Sequence, residues 1–136
     1  MSNYIHFKDN EPDNITDTWN NMVKEVKSSY LLPPTKKKVC VDIGSNIGSF
    51  MAYAHSCGAF EEIYGFEPAF QTYHASLSML KHFDILSENV QVRNLAVTDQ
   101  TGQMLRLFDC GDGESGSATL LRKDSSTQEE LCLTIG

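Results

Sequence analysis

Apolar positions between residues 37 and 97 follow two alternating rhythms. The β-branched residues Val39, Val41 and Ile43, with Cys40 among them, predict a buried parallel strand over 39–43. Gly44 breaks the run into a small polar loop. A helical pattern from Ile47 to Ser56 then puts Ile47, Phe50, Met51 and Ala54 on one face, and Gly58 stands where a left-handed residue closes a helix. Ile63–Phe66 predicts a second strand that Glu67-Pro68 ends. Phe70–His82 predicts a second helix buried along Phe70, Tyr73, Leu77 and Leu80. Val90–Arg93 predicts a third strand, with Leu95–Val97 as its extension. Strand, helix, strand, helix, strand is the order of a parallel sheet with right-handed crossovers.

Both flanks differ from this centre. Residues 1–14 are polar, and a helix is predicted from Asp17 to Tyr30 with Thr16 or Asp17 as its cap. Trp19, Met22, Val23, Val26 and Tyr30 form its apolar face, and Pro33-Pro34 stop the helix. Beyond the third strand, Gln103–Phe108 predicts a strand and Asp109–Ser117 a loop. Ala118–Leu121 and Leu131–Ile135 read as two further short strands. Strand following strand without a helix between them predicts an antiparallel hairpin appended to the parallel unit.

Composition narrows the classes of function. A net charge of −7 over 136 residues, with Lys36-Lys37-Lys38 as the one basic run, argues against a nucleic-acid backbone or an anionic membrane surface as partner. No apolar run is long enough to cross a bilayer, and the N-terminus has no signal-peptide core, so a cytoplasmic setting is the default expectation. Cys40, Cys57, Cys110 and Cys132 are widely spaced with no C-x-x-C pair, which gives a zinc site no support. Asp109, Asp112 and Glu114 cluster, but without the spacing of a calcium loop. His6, His55, His74 and His82 read as surface residues rather than bases.

The candidate chemistry lies at the ends of the three strands. Asp42, Gly44, Ser45, Asn46 and Gly48 form D-x-G-x-N-x-G between strand and helix. Gly44 turns the chain, Gly48 permits a close approach, and the amides of the turn are expected to offer hydrogen bonds to a carboxylate or phosphate. Asp42 would repel a pyrophosphate and suit an ammonium or sulfonium, a combination that favours S-adenosylmethionine. Glu67 closes the second strand, where an acid reaches ribose hydroxyls. Asn94, or the amides of Leu95 and Ala96, stands where an adenine edge would be read.

Val39–Phe50, Tyr64-Gly65-Phe66-Glu67-Pro68 and Asn89–Val97 together resemble the FkbM family of S-adenosylmethionine-dependent methyltransferases. Gly102–Phe108 and Ser115–Leu120 are similar to the hairpin region that follows in that family. The likeness runs over roughly residues 38–121. It implies an α/β fold: a partial Rossmann-like class I methyltransferase sheet over residues 36–136, preceded by a tail and helix over 1–35. It also implies S-adenosylmethionine as cofactor and O-methylation of a hydroxyl on a sugar or small metabolite. Carried over by position, Asp42, Gly44, Asn46 and Gly48 surround the methionine end, Glu67 meets the ribose, and Asn94 lies near the adenine.

The family continues past this hairpin into an aspartate-x-glutamate-glycine segment that this sequence lacks. The expectation is therefore a cofactor-binding half whose catalytic groups lie elsewhere, in a fragment or in a short product. Two alternatives stand beside it. One is a non-catalytic binding module that associates with a partner chain or a second copy through an incomplete sheet edge. The other is a nicotinamide-dependent oxidoreductase, which Glu67 suits but the glycine spacing and Asp42 do not.

Overall fold

A computed structural model describes residues 13–109 and 128–136. The chain runs α1 (Asp13–Ser29), β1 (Lys37–Ile43), α2 (Ser49–Ser56), β2 (Phe60–Phe66), α3 (Phe70–His82), β3 (Val90–Arg93), β4 (Ala96–Val97), β5 (Met104–Asp109) and β6 (Gln128–Ile135). The predicted strand Ala118–Leu121, together with His6, Cys110, Asp112 and Glu114, lies outside the described residues.

β1, β2 and β3 form a parallel sheet in that order, with Cys40 beside Ile63 and Ile63 beside Val90. This is the predicted βαβαβ unit, a partial Rossmann-like sheet. Both crossovers step in the same direction, so α2 and α3 lie on one face. There Met51, Ala52, Ala54, Met79 and Leu80 pack on Cys40, Ile63, Val90 and Val92. Cys40 behaves as the small hydrophobe its place in the strand predicts, and burial together with the nearby Asp42 carboxylate pushes its thiol pKa up.

The other face of β1 departs from the sequence reading. Val39, Val41 and Ile43 are 45, 56 and 64% exposed rather than buried. With both helices on the opposite side, no described element covers this row, and β1 is also the sheet's edge. A β-branched run fits a fully buried strand and a half-covered one equally well.

The helices start and turn differently from their sequence patterns. α1 begins at Asp13, so Thr16 and Asp17 lie inside it rather than capping it. Val23 is buried, whereas Tyr30 lies just past the helix end and is 57% exposed. α2 begins at Ser49, two residues later than expected. α3 buries Thr72, Ser76, Met79 and Leu80, and the expected stripe member Phe70 is exposed. Small hydroxyl residues let this face sit close to the sheet, with the Ser76 hydroxyl satisfied by the carbonyl of Tyr73 at 2.6 Å.

α2 and α3 end alike. Gly58 donates to the His55 carbonyl and Ala59 to that of Ala54, and Gly58 takes the predicted left-handed conformation. Asp84 donates to Lys81 and Ile85 to Leu80 around a left-handed Asp84 with φ 58°. An L-residue with a side chain strains this position. Asp84→Gly is therefore expected to stabilise the protein by roughly 0.5–1 kcal/mol, read as a raised midpoint in thermal unfolding.

A second sheet has the order β4-β6-β5. β5 and β6 are antiparallel from Met104↔Leu133 to Asp109↔Gln128, the expected appended hairpin, although Asp109 belongs to the strand rather than to a loop. Residues 96–97 do not extend β3. They pair instead in parallel with Thr134 and Ile135 of β6. Ala69, Ala96, Leu107 and Cys132 form a small core of their own there. Buried Thr134 ties the preceding turn to β6: its hydroxyl donates to the Gln100 carbonyl at 2.7 Å and accepts from the Gln103 amide at 2.9 Å.

Candidate functional site

The loop Gly44–Gly48 leaves β1 at the carboxyl end of the parallel sheet, the end at which open α/β sheets bind ligands. Gly44, Asn46 and Gly48 all have positive φ (75, 53 and 87°), so the loop alternates its hand before α2 starts. At Gly48 a Cβ would come within 3.0 Å of Leu80 Cδ1, so the left-handed turn and the packing on α3 both require glycine.

Gly65 has a different reason. Its φ is ordinary, but a Cβ there would collide with Met51 Sδ and lie 2.9 Å from Ser45 Cβ. Gly65 sits beside Asp42 in the β1–β2 register, and its missing side chain leaves room for Ser45 and Met51. No sequence pattern singles it out as a site residue. Gly65→Ala is expected to cost roughly 1–3 kcal/mol by overpacking, measured by urea unfolding.

The loop amides are engaged, contrary to the expectation that they face a ligand. Gly44 and Ser45 both donate to the Phe66 carbonyl at 2.9 and 3.0 Å, and Gly48 donates to that of Ser45 at 2.9 Å. Asn46 donates to Glu67 Oε1 at 3.0 Å, while Ala69 donates to Oε2 at 2.9 Å. Folding the loop back onto the end of β2 uses these donors. The amides that α2 leaves without a helical partner are those of Ser49, Phe50 and Met51, since the first helical bond runs from Ala52 to the Gly48 carbonyl.

Glu67 is thus buried, with both carboxylate oxygens holding main-chain amides from two separate segments. Asn94 braces the same corner: its Nδ2 donates to the carbonyls of Glu67 at 2.9 Å and Pro68 at 3.0 Å. Ala96 packs in the core of the second sheet.

Beside the loop lies a cleft of about 330 Å³, formed by β1, the loop, the start of α2 and the end of α1. It brings together Asp42, Gly44, Ser45 and Asn46 of the predicted set; Gly48, Glu67, Asn94 and Ala96 do not line it. Val26, Tyr30 and Phe50 supply its apolar wall, and sequence reasoning placed none of them in a site. Tyr30 and Phe50 meet edge to face at 5.3 Å. Asp42 Oδ2 and Ser45 Oγ are buried without a hydrogen-bond partner among the described residues. Burial raises the Asp42 carboxyl pKa to about 6. Asp42 is the one charged side chain lining the cleft among the described residues.

Among the described residues no group of three His, Cys, Asp or Glu side chains could hold a metal ion, and no helix is long and apolar enough to cross a membrane. His55, His74 and His82 lie away from the cleft.

No family model matches this sequence, and no curated protein does. Among solved structures, the chain is similar to the methyltransferase FkbM from Methylobacillus flagellatus KT, with 22% identity over 57% of this chain and a TM-score of 0.43. It is similar to the YcgJ protein from Bacillus subtilis at 17% identity over 57% of this chain, TM-score 0.36. It is also similar to precorrin 8w decarboxylase from Methanobacterium thermoautotrophicum at 16% identity over 66% of this chain, TM-score 0.37. The matched parts span 21, 29 and 44% of those three chains.

Proposed function

We propose that this chain is the cofactor-binding portion of an S-adenosylmethionine-dependent methyltransferase acting on a hydroxyl of a sugar or small metabolite. The observation that carries the reading is the pair of buried oxygens, Asp42 Oδ2 and Ser45 Oγ, without a partner among the described residues, on two residues that line a cleft to which no described lysine, arginine or histidine contributes. A buried acceptor without a donor is costly, and a ligand that brings hydrogen-bond donors and positive charge relieves it. A dinucleotide phosphate would find no cation there. The lack of basic groups at the cleft and the net charge of −7 also favour a small cationic ligand over nucleic acid or an anionic membrane. A cytoplasmic setting goes with this reading.

Asp42 and Ser45 would hold the ammonium of the methionine end. The amides of Ser49 and Phe50 would meet its carboxylate. Glu67 shapes the loop through the Asn46 and Ala69 amides, and serves a ribose through the position it gives that loop. Asn94 sets the neighbouring wall for an adenine. When bound, S-adenosylmethionine supplies an electrophilic methyl group on a sulfonium. The chain's own task is then to orient the ligand and exclude water, and methyl transfer asks chiefly for such placement. An alcohol acceptor gains from a general base, and no described residue at the cleft is assigned that role.

Calorimetric titration with S-adenosylmethionine tests the reading. Binding is expected, weakened about 10- to 100-fold in Asp42→Ala by loss of a charge-assisted hydrogen bond. A folded chain that gives no binding heat at millimolar ligand would sink it.

A non-catalytic binding module is favoured by one observation, the uncovered row Val39, Val41 and Ile43 on the edge strand β1. A dimer that ignores the ligand in sedimentation and calorimetry would move this reading to the front.

A further inference from the structure

We propose that the open edge of β1 is a dimer interface, taken up by β1 of a second copy of this chain in antiparallel order, with Val41 beside the partner's Val41 on the two-fold axis. The inference does not rest on the identity of the cleft's ligand.

β1 has β2 on one side and no described strand on the other. Two hydrogen bonds show which way its main chain points. Ile63 gives its amide to the Asn89 carbonyl, on the β3 side, and Gly44 gives its own to the Phe66 carbonyl, on the β2 side. Main-chain groups alternate along a strand, so Cys40 and Asp42, in step with Gly44, face β2. Val39, Val41 and Ile43 then turn their main chain to the open edge, and each offers one donor and one acceptor. The register skips Lys38, so the alternation does not carry back to Lys37, which donates to Ala59. From Val39 to Ile43 no proline or bulge blunts the edge. The cleft borders this edge at Cys40, Val41 and Asp42, which leaves open space there.

The strand is complementary to itself. Antiparallel pairing centred on Val41 uses all three outward residues. It sets Val39 opposite the partner's Ile43 and Val41 opposite the partner's Val41, hydrogen-bonded pairs of β-branched side chains on the uncovered face. Charge gives the direction. Exposed Lys36, Lys37 and Lys38 lie at the start of the apolar row and Asp42 lies near its end. Parallel order would set lysines beside lysines. In antiparallel order Lys38 falls opposite the partner's Gly44 and diagonal to the partner's Asp42, so the basic end of each strand meets the acidic end of the other. One strand from each copy makes a small interface, so the dimer is expected to be weak and to depend on concentration.

Sedimentation equilibrium and amide hydrogen exchange test the interface. Both are run without ligand, so their outcome is separate from that of the calorimetric titration. The wild type is expected to pass from monomer to dimer between about 10 μM and about 1 mM chain. Over that range exchange at Val39, Val41 and Ile43 should slow by at least about threefold, while Cys40 and Asp42, already bonded to β2, change little. Val41→Lys sets like charges opposite each other at an exposed position and should weaken association by at least about tenfold. Leu131→Lys makes the same change in charge on the exposed face of the second sheet and should leave association within about twofold.

A wild type that stays monomeric at about 1 mM overturns the interface. So does a dimer that Val41→Lys leaves intact, or one that Leu131→Lys dissolves in its place. Outward amides whose exchange ignores concentration overturn it as well, and that result does not depend on any variant folding.

Discussion

Glu67→Ala is expected to lower the free energy of unfolding by roughly 2–6 kcal/mol, because two buried main-chain donors lose their acceptor and each costs about 1–3 kcal/mol. Asn46 and Ala69 give their amides to opposite oxygens of this carboxylate. They belong to different segments, one to the loop after β1 and the other to the turn that enters α3. Glu67→Gln retains one carbonyl oxygen but turns an NH₂ toward the other amide, so it should fall between wild type and Ala. Urea unfolding of the three proteins decides the matter, and an Ala variant within about 0.5 kcal/mol of wild type would falsify the anchoring role. This also bears on any binding study. Lost affinity in Glu67→Ala reports a displaced loop as readily as a lost ribose contact, and the Gln variant is the more informative of the two.

Asp42→Asn is expected to stabilise the protein at neutral pH. Burial raises the Asp42 carboxyl pKa from 3.8 to about 6, since the ionised form is taken out of water without a partner. The folded value lies above the unfolded one. The stability this group contributes is therefore full below pH 3.8 and lost as pH rises through about 6. At about 1.4 kcal/mol per tenfold change in proton affinity, the ionised carboxylate costs on the order of 3 kcal/mol. The isosteric amide removes that cost, so Asp42→Asn should gain about 1–3 kcal/mol at pH 7–8 and nothing near pH 4. Urea midpoints from pH 4 to 8 measure it, and a gain independent of pH would show that ionisation is not the cause. A cationic ligand works in the opposite sense: it favours the carboxylate, so its affinity should rise between pH 5 and 7 in the wild type and lose that slope in Asp42→Asn.

The βαβαβ order and the loop from Gly44 to Gly48 are legible in the sequence because local chemistry makes them. β-branched residues build the strands, glycines permit the left-handed turns, and Gly58 ends α2 where its place predicts. What was hidden depends on contacts across the fold. Val39, Val41 and Ile43 read as buried because a strand pattern does not say how many faces helices will cover. The buried face of α3 was misplaced because Thr72 and Ser76, polar by type, are the residues that approach the sheet. Gly65 carries no turn signature, and its role exists only because Ser45 and Met51 converge on it. The partners of Glu67 are backbone amides, which leave no trace in a pattern of side chains. Tyr30 reads as one more apolar position on a helix, whereas its place beside Phe50 at the cleft depends on how α1 packs on α2.

The division into two sheets has a kinetic consequence. β1, β2 and β3 are joined by consecutive crossovers, so each strand finds a neighbour close to it in sequence. β4 must wait for Thr134 and Ile135, brought back from the far end of the chain. Loop closure of that span is slow beside the short crossovers. The parallel unit, with its own larger core, is therefore expected to form first and open last, an order that hydrogen exchange measures. The second sheet, resting on a core of four buried residues among those described, is then expected to exchange sooner than the strands beside Asp42.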